Sequence, residues 1–305
     1  MRLLFTPPAF KLSSLQSIKD ALTFIDGKFC EAGLVPVVSD QLATLQAFQT
    51  SYFSNTTTTG YLALPTLKYF FNDSQSSAAP VQIHLEANFY RNSSGAALYW
   101  SFGLSVAATT STSATPFYVN RGQWGSIYGS SDPQPFANPS FIVIKDGFLH
   151  ITLYPRVLRD TYYSCGGQLT ITRSFNDSGN PDARYLNIWG RSYSGSNSNI
   201  DATYVYCYDF SSTAVTYNTN PTLRASETVM SSVNSQLAPW FMVEPDTSTV
   251  KQNPYMYHVW RSAVSTLSEY TVTTLQGDKK FIPLEIGGIS AYGSSQCVMV
   301  YFDNN

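Results

Sequence analysis

Charge is scarce in this sequence: Asp, Glu, Lys and Arg make up 12% of its 305 residues, against roughly a quarter in ordinary soluble proteins. The 18 basic and 20 acidic residues leave a formal net charge of −2. A chain so balanced carries no clustered basic face with which to neutralise a nucleic-acid backbone, so nucleic acid is not an expected partner. The one adjacent basic pair, Lys279-Lys280, follows Gly277-Asp278 and is expected in a solvated turn. Long apolar runs are missing as well. The opening Leu3-Leu4-Phe5 is shorter than the roughly 7–15 residues of a signal-peptide core. No stretch approaches the ~20 apolar residues of a membrane helix. Neither secretion through a cleaved signal nor a membrane partner is expected.

Metal ligands and catalytic signatures are equally thin. His84, His150 and His258 are the only histidines. The first two sit inside strand-like segments, and no second ligand is expected at metal spacing on the same face. Cys30, Cys165, Cys207 and Cys297 form no C-x-x-C pair, which argues against a zinc site or a disulfide framework and for free, buried thiols. The nucleophile-elbow pattern G-x-S-x-G is absent, the nearest approach being Tyr193-Ser194-Gly195-Ser196 in a low-complexity loop. Glu244, Asp246 and Glu285 are the acids available for a two-carboxylate glycosidase, and nothing in their surroundings separates them from surface acids. The oxygen-rich run 176–182 lacks the spacing and terminal Glu of an EF-hand and reads as a hairpin loop. The glycine-rich run 287–295 lacks the Gly-Lys-Ser/Thr ending of a phosphate loop. No cofactor and no enzymatic activity are expected.

What is present is aromatic and uncharged-polar. Aromatics reach 15%, with 21 Tyr and 19 Phe, and 43% of the chain is hydrophobic, enough to fold rather than remain disordered. Leu15, Ile18, Leu22, Ile25 and Phe29 recur at helical spacing. That helix is expected to open near Ser13, which forms a capping box with Gln16, and to stop before Gly33. A second, shorter helix is expected after Asp40, with Leu42, Leu45 and Phe48 on one face. Polar runs at 54–60 and 72–80 flank the apolar segment 61–71 and suggest a boundary: residues 1–78 form an N-terminal helical and extended assembly unit, and 79–305 an antiparallel β domain.

Beyond that boundary the pattern is of strands. Residues 81–87 alternate strictly, and 97–106 mix Leu, Tyr, Trp, Phe and Val at period two. Segment 141–153 is the clearest hairpin, with Asp146-Gly147 suited to a type I′ turn. A second hairpin pairs 168–175 with 183–190, and 202–210 and 296–302 add strands. Residues 107–115 and 192–199 are exposed loops. A helix is expected over 226–237, and 255–270 fits a strand better than a helix. The fold class is therefore mainly β, an antiparallel sandwich or barrel with a small N-terminal helical unit. Within it, Tyr204, Tyr206 and Tyr208 lie on one face of a strand and are candidates for an interface or a glycan-stacking surface.

A low-charge chain beginning at Met1 with no signal, a short helical unit, then β strands with Ser/Thr-rich loops resembles the structural proteins of tailed bacteriophages. Segments 142–153, 168–189 and 281–302 carry the resemblance. It implies a non-enzymatic neck, tail, baseplate or capsid-associated component, assembled in the host cytoplasm and resident in the virion. Its partners are then copies of itself and other virion proteins, with a host-surface glycan as a further partner. The alternatives are a carbohydrate- or receptor-binding module and a glycan-degrading enzyme.

Overall fold

The computed structural model describes residues 2–8, 14–55, 57–92, 97–116, 118–120, 125–128, 140–153, 168–176, 178, 180–191, 203–218, 223–225, 238–242, 255–262, 270–274, 277–284 and 297–302. Over these the chain is mainly β, with antiparallel strands and two helices, and the sheets are open in strand order rather than closed into a barrel. It divides into two compact units, Met1–Thr170 with Gly190–Tyr193, and Ile171–Trp189 with Ser194–Asn305. The expected junction at 78/79 falls between two strands that pair with each other inside the first unit.

The first unit contains β1 (Arg2–Phe5), α1 (Leu15–Glu31), β2 (Val35–Pro36), α2 (Gln41–Ala47), β3 (Gly60–Ala63), β4 (Leu67–Phe71), β5 (Val81–Arg91), β6 (Ala97–Ala107), β7 (Tyr118–Asn120), β8 (Gly125–Tyr128), β9 (Ser140–Lys145) and β10 (Phe148–Thr152). One sheet runs β2-β4-β5-β6-β7, with β3 also on β5 and β8 also on β6; β1, β9 and β10 are neighbours in a second sheet.

Helix α1 forms because Ile18, Leu22, Ile25 and Phe29 make an apolar stripe, and all four are buried. Its cap is Ser14, one residue later than expected, whose hydroxyl accepts from the Ser17 amide at 3.2 Å. The stop is as read from the sequence. Gly33 takes φ 102°, a left-handed conformation that glycine adopts without a Cβ clash. Its amide then bonds the Cys30 carbonyl and the Leu34 amide the Phe29 carbonyl, each at 3.0 Å, which satisfies the two otherwise orphaned carbonyls.

The helix lies on one face of the β5 sheet. Phe29 meets Tyr69 edge-on at 5.1 Å, and Phe53 meets Phe89 at 4.9 Å. Val81, Ile83, Leu85, Ala87 and Phe89, at alternate positions of β5, form the floor of this core and are buried. Polar side chains enter it as well, among them Lys19, Asp26 and Gln41. Asp26 accepts from the Tyr69 hydroxyl at 2.7 Å and from the Gln41 amide at 3.1 Å, and Lys19 donates to the Gln46 carbonyl at 2.7 Å. Burial first, then the Asp26 charge, pushes the Tyr69 phenol well above its usual range.

The β9–β10 hairpin has its two-residue connection at Asp146-Gly147, but the turn is not type I′. Of the two residues only Gly147 takes positive φ, 68°, the type II pattern. Asp146 is held outside the left-handed region while its carboxylate accepts from the Ser74 amide at 2.7 Å.

The second unit opens within β11 (Gln168–Phe175) and continues through β12 (Pro181–Arg191), β13 (Thr203–Asp209) and β14 (Ala214–Asn218), which are neighbours in that order. A six-stranded sheet follows: β15 (Leu223–Ala225), β16 (Ala238–Met242), β17 (Tyr255–Ser262), β18 (Tyr270–Thr274), β19 (Gly277–Leu284) and β20 (Cys297–Phe302) in the order β15-β16-β17-β20-β19-β18. Lys279 and Lys280 are strand residues of β19, paired with Val272 and Thr271, and not the solvated turn expected. The expected helix at 226–237 lies outside the described residues.

Candidate polar site on the second face of the β5 sheet

Strand β5 is two-faced. Its apolar positions form the core, and the alternate positions Gln82, His84, Glu86, Asn88 and Tyr90 make a polar row on the other side. Cross-strand register builds this row into a surface. Lys68 and Ser105 flank His84, Gly103 lies beside Glu86, Ala63 and Ser101 flank Asn88, and Tyr61 and Tyr99 flank Tyr90.

One end of the surface is covered. The loop 108–116 lies over it, held by Gln82, whose amide nitrogen donates to the Thr109 and Ser111 carbonyls at 2.9 and 3.0 Å, and by Lys68, which donates to the Thr112 carbonyl at 2.6 Å. Those two bonds fix the orientation of the Gln82 amide, so its oxygen faces His84. His84 Nε2 therefore carries the proton and donates to that oxygen at 3.1 Å. Burial, and then the nearby Lys68 charge, lowers the His84 pKa to about 4, so the ring is neutral at pH 7. Next to it Ser105 donates to Glu86 Oε1 at 2.7 Å.

The other end is open. Tyr61 is 62% exposed and Tyr90 42%, and they are cross-strand partners. The Tyr61 hydroxyl donates to Asn88 Oδ1 at 2.5 Å, while Asn88 is only 6% exposed and its amide nitrogen donates to no described residue. Ala63, beside it, is small and exposed. Behind this end, on the core side, Arg91 anchors the 51–59 segment by donating to the Tyr52, Asn55 and Thr58 carbonyls and stacking 5.0 Å over the Tyr52 ring.

The tyrosines singled out from the sequence lie elsewhere. Tyr204, Tyr206 and Tyr208 are all on β13, at alternate positions of one strand, with Tyr206 opposite Tyr217 and Tyr208 opposite Val215. Tyr208 is half-buried, its ring 4.9 Å from Phe210, and Phe210 in turn lies 5.7 Å from the buried Arg173 guanidinium. In the same unit Asn187 and the Ser174 hydroxyl are buried without a hydrogen-bond partner among the described residues.

His150 is a core residue. Nδ1 and Nε2 are each 2.7 Å from a hydroxyl, of Thr170 and Thr152, and complete burial lowers its pKa to about 3. His84 does share its face with a carboxylate, Glu86 at i+2, contrary to the sequence reading, because strand alternation aligns them. The Glu86 Oε1 atom is engaged by Ser105, and no group of three or more His, Cys, Asp or Glu residues among those described is arranged to hold a metal. The buried thiols expected are not found among the described residues: Cys30 is exposed, because it falls off the apolar stripe of α1, and Cys207 is half-buried, while Cys165 lies outside the described residues. In the 176–182 loop Asn176 Oδ1 accepts from the Ser178 and Asn180 amides, so this oxygen closes the turn. Glu244, Asp246, Glu285 and the 287–295 run lie outside the described residues. No helix among the described residues is long and apolar enough to cross a membrane.

Sequence reading picked out the alternation at 81–87 but not the surface it builds. The signal was the period-two set Gln82, His84, Glu86, Asn88, Tyr90; its partners Tyr61, Lys68 and Ser105 are fixed by long-range register. Comparison with known proteins gives no matching family model and no matching curated sequence.

Proposed function

We propose that this chain is a non-enzymatic structural protein that joins copies of itself into a symmetric ring or shell, as in the phage-like virion its sequence resembles. The observation that carries the reading is β1. Among the described strands it is the terminal one of its sheet, paired on one side with β9, and it presents Leu4 at 53% exposure. An edge strand offers unpaired backbone groups to another strand, and natural proteins usually blunt such edges with inward charge, proline or a bulge. Here Arg2 is the only charge on β1, followed by Leu3-Leu4-Phe5. Pairing β1 of one copy with a strand of the next supplies backbone hydrogen bonds and buries Leu4, and low surface charge keeps the desolvation cost small. A heterologous contact of this kind closes into a ring when the rotation per subunit divides a full turn.

Negative-stain imaging of the purified chain is the test. Closed objects with rotational symmetry are expected, and a field of isolated 33.8 kDa particles at every concentration overturns the reading.

A further inference from the structure

The open end of the polar β5 face has features that subunit assembly through β1 does not require. Its floor is low, because Ala63 and Gly103 are the cross-strand neighbours of Asn88 and Glu86. Two exposed tyrosines stand at one end, and at the other the 108–116 loop is pinned by Gln82 and Lys68. Between them the row offers one donor and one acceptor. Asn88 as a residue is 6% exposed, its side-chain oxygen is fixed by the Tyr61 hydroxyl, and its side-chain nitrogen has no described acceptor. Glu86 is partly exposed, with Oε1 taken by Ser105.

We propose that this trough binds a neutral oligosaccharide, one sugar ring stacking on Tyr61 and Tyr90 while hydroxyls of the next accept from the Asn88 amide and donate to the Glu86 carboxylate. Sugars present an apolar C–H face and a rim of hydroxyls that both donate and accept, which is the chemistry of an aromatic pair beside an amide and a carboxylate. Length follows from the strand. Glu86 and Tyr90 are four residues apart, about 14 Å at the usual strand rise, so the trough spans two or three linked sugars. Neutrality follows from charge. The carboxylate at the centre repels an acidic sugar, and the nearest ammonium, Lys68, is engaged by the Thr112 carbonyl. The inference does not rest on the assembly reading, since none of these residues is on β1.

The test is calorimetric titration of the whole chain with maltotriose, cellotriose and triacetylchitotriose, with trigalacturonic acid as the charged comparison. At least one neutral trisaccharide is expected to bind, Tyr61→Ala and Tyr90→Ala to weaken it by about tenfold or more, and the acidic one to bind about tenfold more weakly. Thermal melts establish that the variants fold, and Tyr61→Phe, which keeps the ring and removes the hydroxyl, provides a milder second variant with intermediate affinity. Failure of all three neutral probes up to about 10 mM, unchanged binding in folded Tyr61→Ala and Tyr90→Ala, or preference for the acidic probe overturns the proposal. Leu4→Lys, which targets assembly, leaves binding unchanged.

Discussion

Acid should weaken the first unit through two histidines held neutral in its interior. In the unfolded chain each imidazole takes up a proton near pH 6.5. In the fold the His84 pKa is about 4 and the His150 pKa about 3, both because burial disfavours the charged ring. The folded values are depressed, so the unfolded state binds protons first as pH falls. The stability these groups contribute is complete above pH 6.5 and is lost progressively toward pH 4 for His84 and pH 3 for His150. At about pH 5 each has lost roughly 1.5 × 1.36, about 2 kcal/mol, and the pair about 4 kcal/mol. That is a large fraction of the ~5–15 kcal/mol stability of a typical domain. Because two units need not unfold together, the assay is urea unfolding at about pH 8 and about pH 5 read by a hydrogen-exchange pulse on peptides covering β5 and β10. His84→Gln and His150→Gln should each remove about half of the acid-dependent loss, whatever they cost at pH 8. The wild-type pH difference surviving intact in both variants would rule out the two histidines as its source.

Four further substitutions have outcomes set by named contacts or, at Gly33, by a backbone angle. Tyr69→Phe removes the hydroxyl that, with the Gln41 amide, donates to the buried Asp26 and should cost about 1–3 kcal/mol in urea unfolding of the first unit. Gly33→Ala places a side chain at φ 102° and should cost about 1 kcal/mol, measured the same way, with Ser14→Ala costing a similar amount through the lost cap. Arg91→Met should leave the β5 ladder intact but release the 51–59 segment, seen as faster amide exchange and earlier proteolysis there, since it removes the donor shared by the Tyr52, Asn55 and Thr58 carbonyls.

Local signals were legible in the sequence and long-range ones were not. The stripe of α1 and its glycine stop depend on residues within a turn of one another, and both were found. The cap fell one residue away because Ser13 and Ser14 are adjacent candidates and only geometry shows which hydroxyl reaches a free amide. At Asp146-Gly147 the dipeptide indicated a hairpin correctly and its turn type incorrectly, because the Asp146 carboxylate bonds Ser74, which is 72 residues away. The polar face followed the same rule. Alternation in β5 was visible, whereas the pairing of Tyr61 with Tyr90 and of Lys68 with His84 is register, set by the whole sheet. The three tyrosines of β13 stand out in the sequence because their clustering is local.

The central claim is that edge strand β1 joins copies of this chain. Sedimentation velocity across a concentration series, comparing the wild type with Leu4→Lys, tests it most directly. Leu4 is 53% exposed, so a lysine there should fold normally while setting a charge on the edge. A discrete large species is expected for the wild type and a shift to monomer in the folded variant; a wild type that stays monomeric throughout, or a variant that assembles as well as the wild type, rules out joining through β1.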